Sequence, residues 1–149
     1  MKTNDKTLAA ILEDSKIYYG NGATSDRFFD GLIDLKNFIK EWRELNSREK
    51  LEAYLYLTQD NEPWDNAIEL AKTQSRIIGE PGDTIEELCQ EVFYEDFETT
   101  IEKTGNSMLE FAVTCCLDWT HLANEWMLEA PIREGTDPET GWPVYYYEY

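Results

Sequence analysis

The stretch GEPGDTIEELCQEVFYEDFETTIE, residues 79–102, decides how the chain is read: it carries nine Asp and Glu and no Lys or Arg. Gly79, Pro81 and Gly82 signal a turn, Asp83 or Thr84 can cap a helix, and Glu86 and Glu87 fall in the first turn, where the helix dipole favours negative charge. Ile85, Leu88, Cys89, Val92 and Phe93, then Phe97 and Ile101 after a slip, recur at steps of three and four, which predicts a helix with one inner face. The acids then point outward. Counting every acid at about 1.5 Å rise per residue gives roughly one charge per 4 Å. One strand of B-DNA offers a phosphate every ~3.4 Å. Solubility alone also produces acidic helices, so this run leaves both readings open.

The 149 residues have a net charge of −18, and five Trp, nine Tyr and six Phe supply the burial that disordered chains lack. The charge is uneven. Residues 1–50 balance nine acids with nine bases, whereas residues 51–149 hold 22 acids against Lys72, Arg76, Lys103 and Arg133. A chain so acidic in its later two-thirds is expected to avoid nucleic acid and anionic membrane and to meet a positively charged partner. Cys89, Cys115 and Cys116 cannot all pair and fall in apolar runs, so buried thiols in a reducing, cytoplasmic setting are expected. Met1–Ala10 lacks the apolar core of a secretory signal, and no run approaches ~20 apolar residues.

Working outward, the pattern predicts a mainly α (α+β) protein: a small helical bundle, then an acidic helical domain with a short C-terminal β-hairpin. The expected divisions are an N-terminal segment over 1–24, a helical domain over 25–78 and an acidic α+β domain over 79–149. Leu8–Leu12 suggest a short helix, and Lys16–Tyr19 a short strand before the turn at Gly20, Asn21 and Gly22. Ser25 or Asp26 is expected to cap a helix running from Phe28 to Leu45, broken near Gly31 and Asp34. Asn46, Ser47 and Glu49 start another, with Leu51, Tyr54, Leu55 and Leu57 inward. After Pro63 the same periodicity resumes at Trp64 and continues to Ile77 and Ile78. Gly105 and Asn106 end the acidic helix. The long apolar run from Met108 to Leu128 is expected to be the most buried helix, or two helices meeting near Asp118. Aromatic and β-branched residues flank the turn at Asp137–Gly141, which predicts the hairpin.

Catalytic chemistry finds little foothold. His121, the single histidine, lies five and six residues from Cys116 and Cys115, off the i, i+4 spacing of a helical metal pair, and reads as a core or rim residue. Asp83, Glu86 and Glu87 could be imagined around a divalent ion, but the helix dipole explains them more simply. No nucleophile elbow, phosphate loop or dinucleotide fingerprint occurs. We therefore expect no catalytic residue, no metal and no cofactor.

With these motifs placed, the later two-thirds resemble the ArdA antirestriction family, acidic proteins of plasmids, transposons and phages that imitate DNA. Gly79-Glu80 followed by Asp83-Thr84-Ile85-Glu86-Glu87-Leu88 is similar to the family's Gly-Glu…Asp-Ser-hydrophobic-Glu-Asp pattern. Leu117-Asp118-Trp119-Thr120-His121-Leu122-Ala123-Asn124-Glu125-Trp126 resembles its Ile-Asp-Tyr-x-x-hydrophobic-Ala-Arg-Asp-Leu segment, with Asn124 in place of the Arg. Leu51–Leu70, including Ala67-Ile68-Glu69, looks like its acidic helical middle domain. The likeness covers about residues 25–149 without the family's usual first domain. It implies inhibition without catalysis, by occupying the DNA-binding channel of a type I restriction-modification enzyme or another defence nuclease. The expected contact surface is Glu80, Asp83, Glu86, Glu87, Glu91, Glu95, Asp96, Glu98 and Glu102, extended by Asp60, Glu62, Asp65 and Glu69. The family's members are dimers, which implies a homodimer here, and the apolar or Tyr-rich end (Tyr145, Tyr146, Tyr147, Tyr149) is the expected place of contact. Two rival readings remain: an acidic adaptor or immunity-type protein that binds one basic partner without copying DNA, and another anti-defence inhibitor such as an anti-CRISPR protein.

Overall fold

Why the chain folds as mainly helix follows from its caps and its i, i+4 apolar rows, which the computed structural model resolves for residues 5–18, 20, 22 and 24–148. The expectations for Met1–Asn4, Tyr19, Asn21, Ala23 and Tyr149 lie outside the described residues. The chain divides into two compact units, one of Met1–Arg76 with Thr136–Trp142 and one of Ile77–Gly135 with Pro143–Tyr149. The division falls two residues before the expected one, the first 24 residues belong to the first unit, and the hairpin loop joins that unit too.

In the first unit, α1 (Lys6–Ser15) is capped by Asp5, whose carboxylate accepts from the Leu8 N–H. Strand β1 (Lys16–Tyr18) pairs antiparallel with β2 (Thr24–Asp26). Asp26 caps no helix; its carboxylate accepts from the N–H groups of Phe28 and Phe29, turning the chain so that both rings enter the core. Helix α2 (Gly31–Trp42) begins at Gly31 rather than breaking there. α3 (Ser47–Thr58) opens on a reciprocal capping box between Asn46 and Glu49, and α4 (Trp64–Thr73) follows Pro63. Helix α3 packs on α1 and α4, and α2 on α4. Phe29, Phe38 and Trp42 meet ring to ring at the centre, where Phe38 is fully buried. Each such ring pair adds ~0.5–1.5 kcal/mol of oriented contact to the burial of its rings.

The second unit starts with β3 (Ile77–Ile78). The helical periodicity expected through these two isoleucines ends at Thr73, because Gln74 is extended and the isoleucines pair with β5 (Pro143–Tyr147) in the register Ile77↔Tyr146 and Ile78↔Tyr145. With β4 (Ile132–Thr136) the sheet has the order β3-β5-β4. Along β5, Val144 and Tyr146 are buried while Tyr145 and Tyr147 are partly buried, the period of two that a one-sided sheet requires. α5 (Ile85–Thr104) is capped by Thr84 and ends at Gly105, which takes the left-handed conformation (φ +62°) that closes a helix at least cost to glycine. α5 packs against α7 (Trp119–Glu129), whose cap is Asp118. Ile85, Leu88, Cys89, Ala123, Trp126 and Ile132 form the second core.

Between α5 and α7 the long apolar run behaves unlike its composition. It splits into a short α6 (Ser107–Phe111) and one π-helical turn (Ala112–Cys116), then bends at Leu117-Asp118 into α7. A break near Asp118 is as expected; deep burial is not. No residue of α6 is buried, Val113 alone is buried in the π turn, and both Cys115 and Cys116 are exposed, so only Cys89 is the buried thiol that was expected. Among the described residues no helix is long and apolar enough to cross a membrane.

Candidate interaction surface on the acidic helix

The apolar row of α5 sets where its acids point. Ile85, Cys89, Phe93, Phe97 and Ile101 are four apart, so at ~100° per residue each step turns the row by about 40°. The row spirals. Only Ile85, Leu88 and Cys89 are fully buried, Phe93, Phe97 and Ile101 are half-buried, and Val92, expected inside, is 40% exposed because the row has already turned past it.

Opposite that row Glu87, Glu91, Glu95, Glu98 and Glu102 follow at spacings of four, four, three and four, all exposed. On an ideal helix these five lie within a stripe about 80° wide and ~22 Å long. One charge per ~6 Å of axis is sparser than the count over all nine acids. Over the same length one strand of B-DNA carries about six or seven phosphates. Glu86 and Asp96 fall off the stripe. Glu86 is half-buried and faces inward enough to act on Cys89 and Tyr145: burial, then Glu86, raises the Cys89 thiol, and burial, then Glu134 and Glu86, raises the Tyr145 phenol. Glu80 and Asp83 belong to the preceding turn, where the Asp83 carboxylate accepts from the Glu80 N–H at 2.9 Å.

Among the described residues no ion pair involves any of the stripe's five glutamates; the second unit's ion pair joins Arg133 to Glu148. Lys103, the one base of α5, has Thr99 and Thr100 four and three residues before it and no carboxylate after it at either spacing. The helix therefore holds three like-charge i, i+4 pairs and one i, i+3 pair (Glu95–Glu98). At ~0.2–0.5 kcal/mol each they cost the helix about 1–2 kcal/mol. A surface needing only solubility would intersperse Lys and remove that cost.

The acids expected to extend the surface lie in the first unit and differ among themselves. Asp65 and Glu69 are exposed one turn apart on α4. Glu62 is half-buried and accepts from the Asn66 side chain. Asp60 is not available as expected: its carboxylate sits 2.8 Å from the guanidinium of Arg76, which is buried and stacks 3.8 Å from the centroid of the Tyr56 ring. Glu52 accepts from the Arg76 backbone N–H, so a buried cluster of opposite charges pins the end of this unit. Asp60 belongs to that cluster because the chain leaving α4 brings the Arg76 guanidinium to it, a contact sixteen residues away in sequence that local spacing does not encode.

His121 is exposed in the first turn of α7 and its N–H donates to Asp118, which makes it a rim residue rather than a core one. Sequence reasoning missed a second feature. A groove of about 240 Å³ lies between α5 and the α6–π segment, with Tyr94, Ile101 and Val113 along its floor and Glu98, Glu102 and Glu110 beside them. The signal lay in the 40° drift of the apolar row, which brings Ile101 within about a quarter turn of the acid stripe by the end of α5. Comparison with protein-family models, with curated proteins and with solved structures finds no match to the chain.

Proposed function

We infer that the protein is an inhibitor that imitates DNA, occupying the DNA-binding site of a defence nuclease, with a type I restriction-modification enzyme as the target that the resemblance to ArdA implies. The observation that carries this reading is the row Glu87, Glu91, Glu95, Glu98 and Glu102, exposed, without an ion pair among the described residues and retained at a cost to its own helix. Carboxylates held in a row on a rigid support, one per ~6 Å of axis against a phosphate per ~3.4 Å of one DNA strand, engage Lys and Arg side chains that would otherwise grip a polyanion. Such binding weakens with salt, because the Debye length falls from ~10 Å at 0.1 M to ~3 Å at 1 M. No bond is made or broken, so the activity is occupancy. The contact surface is centred on the stripe of the second unit, with Glu80 and Asp83 in the turn before it; Asp65 and Glu69 are an exposed acidic pair of the first unit.

The test is competition between the full chain and labelled duplex for a type I restriction-modification enzyme at two ionic strengths. Glu87→Gln, Glu91→Gln, Glu95→Gln and Glu98→Gln together should abolish competition, while each single change weakens it modestly. Undiminished competition by the fourfold variant overturns the choice of surface, and absence of competition by the native chain overturns the function. A second reading draws on a different observation. Met108 and Phe111 are 71% and 54% exposed, as a specific adaptor or immunity-type protein with an apolar hot spot would require. In that case one substitution such as Phe111→Ala removes most of the affinity, where a mimic loses little.

A further inference from the structure

We propose that the groove between α5 and the α6–π segment is an anchor site for an arginine side chain borne on an apolar stretch of a protein partner. The proposal rests on the inhibitor reading for the partner's basic character, and on the groove itself for the rest.

Size is the first argument. Sites for small organic ligands enclose ~300–1,000 Å³, whereas this groove offers about 240 Å³, the scale of a single long side chain. Chemistry is the second. Tyr94, Ile101 and Val113 supply an apolar floor against which a three-carbon stem can lie, and Tyr94 is 47% exposed, leaving ring surface for a guanidinium to stack on. Glu98, Glu102 and Glu110 come from two elements to the same groove and, among the described residues, meet no cation; Lys103 lies about 100° round the helix from Glu102. A planar cation with five donors can serve several carboxylates and an aromatic face at once, which a point-charge ammonium cannot. Nucleic acid and anionic lipid are repelled by the same three carboxylates.

The surroundings specify what carries the arginine. Met108 and Phe111, one turn apart on α6, are exposed, and no residue of that helix is buried, so α6 offers apolar surface on the same short element as the groove-lining Glu110. A partner segment that seats one arginine in the groove can lay leucine-like neighbours on that surface. Affinity then has two parts, a charge term and a burial term, and only the first is screened by salt.

The experiment titrates the 15N-labelled full chain with an acetylated, amidated helical peptide carrying one Arg flanked by two Leu one turn away. Saturable shifts should appear at the amides of Tyr94, Ile101 and Val113. Binding should weaken about tenfold when the peptide's Arg becomes Gln, the scale of one hydrogen bond to a charged group, and weaken likewise when its Leu residues become Ala. The exposed double change Glu98→Gln with Glu110→Gln should abolish it. Changing Glu87, Glu91 and Glu95 to Gln should leave it in place while removing competition with DNA, so the two readings fail separately. No saturable shift, equal shifts along Glu87–Glu95, or indifference to the Leu→Ala change would each overturn the anchor site.

Discussion

Reversing one charge in the middle of the stripe separates a functional surface from a soluble one. Glu91 stands four residues from both Glu87 and Glu95. Glu91→Lys removes two like-charge pairs and creates two opposite-charge pairs, with Glu87 placed N-terminal to the new lysine in the more favourable orientation. At ~0.2–0.5 kcal/mol for each of the four changes, the variant should be about 1–2 kcal/mol more stable than the native chain. Glu91→Gln removes only the repulsions and should recover about half of that. The assay is urea unfolding followed by circular dichroism at 222 nm, repeated at ~1 M NaCl, where a Debye length of ~3 Å should erase most of the gain. Hydrogen exchange of the α5 amides locates the change. In parallel, competition with DNA should fall, a gain in stability joined to a loss of function. If Glu91→Lys is no more stable than the native chain at low salt, the stripe is not a cost carried for a purpose and its central argument fails.

Asp5 ties the Leu8 N–H, the Trp42 indole N–H at 2.8 Å and the Lys50 ammonium at 3.3 Å, and although burial raises its pKa, those hydrogen bonds and the lysine outweigh it and hold the pKa below the ordinary value. Its contribution is therefore full above ~3.9 and lost as pH falls through the lower folded value. Asp5→Ala should cost about 1–3 kcal/mol at pH 7 in urea unfolding, and should flatten the acid limb of stability below pH ~4. A thiol assay with Ellman's reagent should titrate Cys115 and Cys116 at once in the native chain and Cys89 only in urea, since burial and Glu86 keep that thiol protonated. Arg76→Met should destabilise by about 3–5 kcal/mol in urea unfolding because it removes the guanidinium that faces the Asp60 carboxylate, although the residue 76 backbone N–H still donates to Glu52; Asp60→Asn leaves competition with DNA unchanged. Gly79→Ala should destabilise the second unit, read by a lowered melting temperature, because Gly79 holds φ +63° and an added Cβ would collide with Leu88 Cδ2.

Local rules carried the helices a long way. Thr84 and the first-turn acids start α5, Gly105 stops it, Asn46 and Glu49 make their capping box, and the Asp137–Gly141 turn joins two strands. Each depends on groups within four or five residues, where spacing and geometry are the same thing. Local rules failed where a segment's fate was set by a distant partner. Ile77 and Ile78 continue a helical period but pair with β5 some seventy residues later. Met108, Phe111, Cys115 and Cys116 are apolar enough for a core yet stay exposed, because α5 and α7 already cover each other and leave this short segment no second face to pack on.

The order of residues alone determined that α5 exists, that it is acidic throughout and that its charges recur four apart, because helical pitch converts spacing directly into direction. Tertiary structure decided which carboxylates of the chain stand clear of other groups and which do not. Glu86 turns toward Cys89 and Tyr145, Asp60 is claimed by a buried arginine, and the drifting apolar row opens a groove beside Glu98 and Glu102. A carboxylate's availability depends on what lies within a few ångströms of it, and those neighbours come from remote parts of the chain.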